Sequence, residues 1–168
     1  AGQGGMVLVS VGSGTSGAGG AVAVDAGRST VHTGGAVHLA SGEGPATSSG
    51  AITIRSINSG SSGVSGMLVF SSGTAQGGNS GAIEIGTGAA TAGRGGMVLV
   101  SAGSGTSGVG GGITADAGRS TVHTGGAVHM ASGEGTATSS GAITIRSINS
   151  GTSGVSGLLV FSSGTAQG

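Results

Sequence analysis

Short apolar runs recur along the chain at a nearly constant spacing. Each run is a tetrad of residues that follows a glycine, which we call the marker glycine. Successive marker glycines lie 15 or 16 residues apart, so each one begins a repeat unit of that length. The marker glycines are Gly5, Gly20, Gly35, Gly50, Gly66, Gly81, Gly96, Gly111, Gly126, Gly141 and Gly157.

Within the tetrads, the second and fourth positions are apolar in every unit. Apolar residues at every other position have the period of a β-strand with one face turned towards a core. The residues that this pattern predicts in the core are Val7, Val9, Val22, Val24, Val37, Leu39, Ile52, Ile54, Leu68, Phe70, Ile83, Ile85, Val98, Val100, Ile113, Val128, Met130, Ile143, Ile145, Leu159 and Phe161.

Equal strands with equal connections favour one fold class. Gly, Ser, Thr and Ala fill most of the positions between tetrads and suit sharp corners and positive backbone torsions. We therefore predict an all-β protein, a parallel β-solenoid of about 11 rungs with strands about 4.8 Å apart. In the two 16-residue units, the segments 55–58 and 146–149, both Arg-Ser-Ile-Asn, are expected to form a one-residue bulge.

A longer repeat contains the short one. Residues 1–77 align with residues 92–168, and only 11 of these 77 positions differ. Six short units thus make a super-repeat of 91 residues. We predict a single continuous solenoid over residues 1–168, with a first super-repeat over 1–91 and an incomplete second over 92–168, as part of a longer array.

The other tetrad positions and the charges suggest contacts between rungs or molecules. Several tetrads are apolar on both faces, which is typical of strands covered on both sides. Their outward residues are predicted to self-associate: Met6, Leu8, Met67, Val69, Met97, Leu99, Leu158 and Val160. Oppositely charged residues at one position of adjacent units are predicted to pair and set the register. These pairs are Arg28 with Glu43 and Arg119 with Glu134.

Composition excludes several kinds of chemistry. The chain has no Cys, Trp, Tyr or Lys, and its five Arg balance five acidic residues. Thiolate zinc sites, Schiff bases and aromatic stacking on bases are therefore excluded, and no basic patch favours nucleic acid or a membrane. The segment 12–17 matches G-x-G-x-x-G, the fingerprint of a pyrophosphate-binding loop, but no helix pattern follows it. The four His are expected to lie too far apart around the rungs to share a metal ion. We expect no enzyme activity, cofactor, metal site, nucleic-acid partner or membrane insertion.

The pattern G-[AM]-[VI]-x-[VIL], followed by Ser-Gly and a Gly/Ser/Thr turn, resembles the short-rung β-solenoid repeats of giant surface and filament proteins and of some phage tail fibres. That resemblance covers the whole chain and implies a structural protein, the shaft of an extracellular or cell-surface fibre whose partner is itself. An alternative is an ice-binding solenoid, to which the 15-residue rung is similar. The required Thr column is interrupted, for example by Pro45 and Gln76. A further alternative is the shaft of a phage or viral fibre or of an adhesin.

Overall fold

The computed structural model describes residues 4–165 and contains no helix and no β-strand within them. The prediction of a parallel β-solenoid is therefore wrong. Strands require a ladder of hydrogen bonds to a neighbouring strand. Every backbone hydrogen bond of the described residues instead joins positions at most eight apart, so none links one tetrad to the next.

The repeat is nevertheless visible in the backbone as a series of bends. Ten bends occur in the described residues, and they begin 15 or 16 residues apart, as the marker glycines do. The chain between them is irregular. The bends occupy residues 15–17, 30–32, 45–47, 61–63, 76–78, 91–93, 106–108, 121–123, 136–138 and 152–154.

A hydrogen bond closes most of the loops that contain these bends. The N–H of a marker glycine donates to the carbonyl oxygen eight residues earlier, as from Gly20 to Gly12 at 2.9 Å. We call this closure the neck. It recurs at 2.8–2.9 Å from Gly35 to Gly27, Gly50 to Gly42, Gly111 to Gly103, Gly126 to Gly118 and Gly141 to Gly133.

The two 16-residue units differ from the others in their sequence at the neck. Ile57 and Ile148 stand seven residues after their marker glycines, where the other units have glycine. These two units lack the backbone bond, as do the 15-residue units that end before Gly81 and Gly96. The bends of the 16-residue units begin one residue later relative to the marker glycine. The extra residue therefore lies in the loop before the bend, and the predicted strand bulge is wrong because no strand exists there.

The side chains that were expected in a core are exposed. Among the described residues no hydrophobic side chain is buried, and the predicted core positions range from 45 % exposed at Leu159 to 92 % at Val7. The position two after the marker is on the whole the least exposed of the tetrad, but it is still open to solvent. Without stacked rungs, one tetrad has nothing from the next to cover it.

The chain divides into two units of structure, Ala1–Glu84 and Ile85–Gly168. Each of them contains necks and bends of the kind described above. The repetition of the same local structure in both follows from the near identity of the two super-repeats.

Candidate functional site

The accessible surface of the chain is much larger than that of a folded domain of the same mass. It amounts to 16414 Å² for 15.1 kDa. A folded monomer of this mass exposes roughly 7,000 Å², and a fully unfolded chain roughly 22,000 Å². The single chain thus keeps more than twice the surface of a self-contained domain.

Four tetrads carry large apolar residues at all four positions and are the strongest candidates for a contact surface. They cover residues 6–9, 67–70, 97–100 and 158–161. Their predicted self-association residues lie between 62 % exposed at Val69 and 87 % at Leu158. Large apolar side chains that are contiguous and exposed mark interaction sites, whereas single exposed ones are ordinary. In the part of the chain that the structure describes, these tetrads are therefore available to a binding partner.

Close steric contact accounts for the glycine at several of the marker positions. A Cβ added at Gly20 would lie 3.1 Å from the Val11 Cβ, and one at Gly96 would lie 3.0 Å from the Thr87 Cβ. The same relation holds at Gly111, where the Ala102 Cβ lies at 3.1 Å. The described residues contain no positive φ, even at glycine. The expectation of positive torsions is thus wrong, and the marker glycine allows close approach instead.

Serine hydroxyls one or two residues before some bends hold the loop in shape. Ser29 Oγ accepts a hydrogen bond from the His32 N–H at 2.9 Å, and Ser120 Oγ accepts one from the His123 N–H at 2.8 Å. In the 16-residue units, Ser59 Oγ donates to the Gly63 carbonyl at 2.8 Å. Ser150 Oγ donates in the same way to Gly154 at 2.7 Å. These are local side-chain to backbone bonds of the kind that shape turns.

Glycine takes the position before four of the bends that lack such a serine, whereas alanine stands there in the other two. A Cβ at Gly14, Gly44, Gly105 or Gly135 would collide with a backbone carbonyl three or four residues further on. In these four loops the absence of a side chain therefore allows the close approach. In one loop the chain also makes a turn in which the Thr47 N–H donates to the Gly44 carbonyl at 3.1 Å, with Pro45 at the second position.

The 16-residue units open two concavities on the surface. One of about 270 Å³ is lined by Arg146, Ser147, Ile148 and Asn149. The equivalent of about 160 Å³ is lined by the segment 55–58 of the same sequence. Each is formed by four consecutive residues alone. In the second super-repeat, Ser147 Oγ donates to the Gly157 carbonyl at 2.6 Å and bridges the widened neck.

The charged residues and histidines are spread over the surface. Arg28, Glu43, Arg119 and Glu134 are all exposed, and their pairing stays a prediction that lacks the stacked rungs on which it rested. His32 and His123 lie in bends, whereas His38 and His129 lie in tetrads. No group of three His, Asp or Glu that could hold a metal ion occurs among the described residues. A search of those same residues finds no helix able to cross a membrane.

Comparison with known proteins adds no relative: neither the family models, nor the curated proteins, nor the solved structures contain a match. The site must therefore be argued from the chain itself. Sequence reasoning found the tetrads and the marker glycines, but it missed the neck bonds and the serine bonds before the bends. The signal for the neck was present, because a glycine stands seven residues after most marker glycines.

Proposed function

We propose that this chain is a structural protein that assembles with further copies of the same repeat into an extracellular or cell-surface fibre. The observation that carries this proposal is the periodic exposure of apolar tetrads in a chain that buries no hydrophobic residue among its described positions. Covering such tetrads removes apolar surface from water, which contributes about 25 cal/mol per Å². The partner is a second copy of this chain.

The choice of a second copy rests on repetition and charge. The same tetrad, MVLV, recurs 91 residues apart in a chain made of two near-identical super-repeats, the second of them incomplete. A formal net charge of zero offers little repulsion between copies. Each repeat unit also has too little apolar surface to be stable alone, as in repeat proteins whose units need neighbours. The low charge and small residues let copies approach closely.

The test is sedimentation velocity of the full chain over a concentration series, with electron microscopy of the same samples. We expect large species and elongated assemblies for the unaltered chain. Replacing Leu8 and Leu99 by Ser, together with Met6 and Met97, is expected to shift assembly to at least tenfold higher concentration. The control replaces Ser16 and Ser107 in the bends by Ala, which should leave assembly unchanged. Equal behaviour of both variants would refute the proposal.

Ice binding is the second candidate, favoured by one structural observation. Ser61 and Thr152 are the first residues of the bends in the two 16-residue units. Counting from the marker glycines alone would place Gly60 and Gly151 at this position of the repeat alignment. The position is therefore richer in hydroxyls than the sequence spacing indicated. An ice-recrystallisation assay on the full chain tests it, with Thr106→Val and Thr121→Val as the informative variants. Activity that these variants abolish would favour ice binding over a fibre.

A further inference from the structure

The residues that open the bends share one column of the repeat alignment, and most of them carry a hydroxyl group. Eight of the ten described bends begin with Thr or Ser, the exceptions being Pro45 and Gln76. Every residue of this column is exposed. The hydroxyl-bearing members are Thr15, Thr30, Ser61, Thr91, Thr106, Thr121, Thr136 and Thr152.

Two neighbouring sets of hydroxyls differ in what they contact. The hydroxyls of Ser29, Ser59, Ser120 and Ser150, just before the bends, are hydrogen-bonded to the backbone. Those of the bend-opening residues make no side-chain hydrogen bond to any described residue. An exposed hydroxyl that shapes no turn can be modified without breaking the loop.

We propose that the bend-opening hydroxyls are acceptor sites for O-linked glycosylation. Small residues flank them, as at Gly14, Ala90 and Gly105, so that a transferase can reach the oxygen. Ser/Thr-rich stalks that carry such sugars are usually also rich in Pro, and this chain shares their Ser and Thr but has one Pro. The three Asn of the chain are each followed two residues later by Gly, which leaves no acceptor sequence for N-linked sugar.

A neutral sugar fits these positions better than phosphate does. A phosphate becomes useful beside arginines that can pair with it. The loops 12–20 and 103–111 contain no charged residue at all. A neutral, strongly hydrated sugar would keep the bends in water. Association of this chain, which has zero net charge, would then involve only the tetrads. This logic agrees with the proposed function, but the acceptor chemistry does not depend on it.

The reaction is a simple substitution. The Thr Oγ1 attacks the anomeric carbon of an activated sugar donor, either a nucleoside diphosphate sugar or a lipid-linked sugar phosphate. The new C–O bond replaces the bond to the phosphate, which leaves with the electron pair. The hydroxyl proton passes to a base of the transferase or to the leaving phosphate. No oxidant or reductant takes part, and the transferase and donor come from outside this chain.

The chain contains its own control for the test. We would map the modified peptides of the full protein from its natural source by mass spectrometry with electron-based fragmentation, which assigns each sugar to one residue. The expected result is saccharide mass increments on Thr121 and Thr152, and none on the bonded Ser120 and Ser150, which lie one and two residues before them. Unmodified bend-opening residues, phosphate or sulfate in place of sugar, or equal labelling of both hydroxyl sets would overturn the proposal.

A pair of variants expressed in the same cells sharpens the assignment. Thr121→Val removes the proposed acceptor and should abolish the increment on its peptide. Ser120→Ala removes the neighbouring bonded hydroxyl and should leave that increment in place. Failure of chain assembly would leave these increments unchanged, so the readout separates the glycosylation proposal from the fibre proposal.

Discussion

The tetrad and the loop of one repeat unit differ in what determines their structure. The loop from Gly12 to Gly20 is closed by a backbone bond, passes through a bend and has glycines where close contacts require them. The tetrad before it has large apolar side chains and no hydrogen bond to another tetrad among the described residues. Local interactions are thus enough for the loop, whereas the tetrad needs cover from outside the chain.

The difference also concerns the backbone of the tetrad. Once a tetrad is covered, its N–H and C=O groups lose water and must find partners. Among the described residues of the single chain, no tetrad provides hydrogen-bond partners for the backbone of another. A covering copy must therefore provide hydrogen bonds as well as apolar contact, and association should order the tetrads more than the loops.

The largest expected effect comes from placing charge in the tetrads. Val37→Asp with Val128→Asp should prevent assembly, because a covered, unpaired carboxylate costs at least about 2 kcal/mol at each site. In sedimentation velocity we expect the variant to remain in small species at concentrations where the unaltered chain forms large ones. His38→Ala, one residue away, is the control and should assemble normally. Assembly of the Asp variant would show that these tetrads stay in water.

The next effect breaks the loop instead of the tetrad. Gly111→Val places a side chain against the Ala102 Cβ at 3.1 Å and should open the neck. Overpacking of this kind costs about 1–3 kcal/mol. Amide hydrogen exchange at residue 111 should accelerate at least fivefold. Gly108→Ala is the matched control, since no atom lies within 4 Å of its added Cβ. Equal exchange in both variants would argue against the neck.

A smaller effect is expected from the hydroxyls before the bends. Ser120→Ala removes the acceptor of the His123 N–H bond at 2.8 Å. The loss of one such bond costs about 0.5–1.5 kcal/mol. Exchange of the His123 amide should therefore rise severalfold while the neck amide of Gly126 is unchanged. Ser107→Ala in another bend serves as control. An unaltered His123 amide would show that the hydroxyl does not shape this bend.

The smallest effect tests the one proline. Pro45 stands where the second super-repeat has Thr136, and it fits the second position of the turn closed by Gly44 and Thr47. The bend at 136–138 lacks the equivalent bond from the Thr138 N–H to the Gly135 carbonyl. Thr136→Pro should favour the closed turn there by about 0.4–1 kcal/mol by restricting the unfolded chain. Exchange of the Thr138 amide reports the effect, and Pro45→Ala should change the Thr47 amide in the opposite direction. Faster exchange in Thr136→Pro would contradict a turn of the same kind.

Sequence reasoning predicted the rhythm of the structure but not its hydrogen bonding. The 15- and 16-residue spacing of the marker glycines reappears in the bends. Strands were predicted because alternation in tetrads such as 6–9 shows which way side chains face. Alternation does not show whether a neighbouring backbone is within reach, and across residues 4–165 no tetrad is bonded to another. The hydroxyls of Ser29 and Ser120 could not be told from other serines by composition alone.

The site was likewise predicted only in part. Met6, Leu8, Met97 and Leu99 were identified as contact residues from their apolar character, and the structure leaves them exposed. Counting from the marker glycines assigns the wrong residue to the start of the bend in the 16-residue units, because the extra residue lies before the bend. Only the position of the bend at 61–63 places Ser61, and not Gly60, at its start.

Amide hydrogen exchange of the full chain, before and after its assemblies are dispersed, tests whether copies of this chain cover the tetrads. We expect the amides of residues 97–100 to be protected in the assemblies and to exchange freely after dispersal. The neck amides of Gly111 and Gly126 should be protected in both states. Free exchange of the tetrad amides within intact assemblies, or protection that persists after dispersal, would contradict the claim that copies of this chain cover the tetrads.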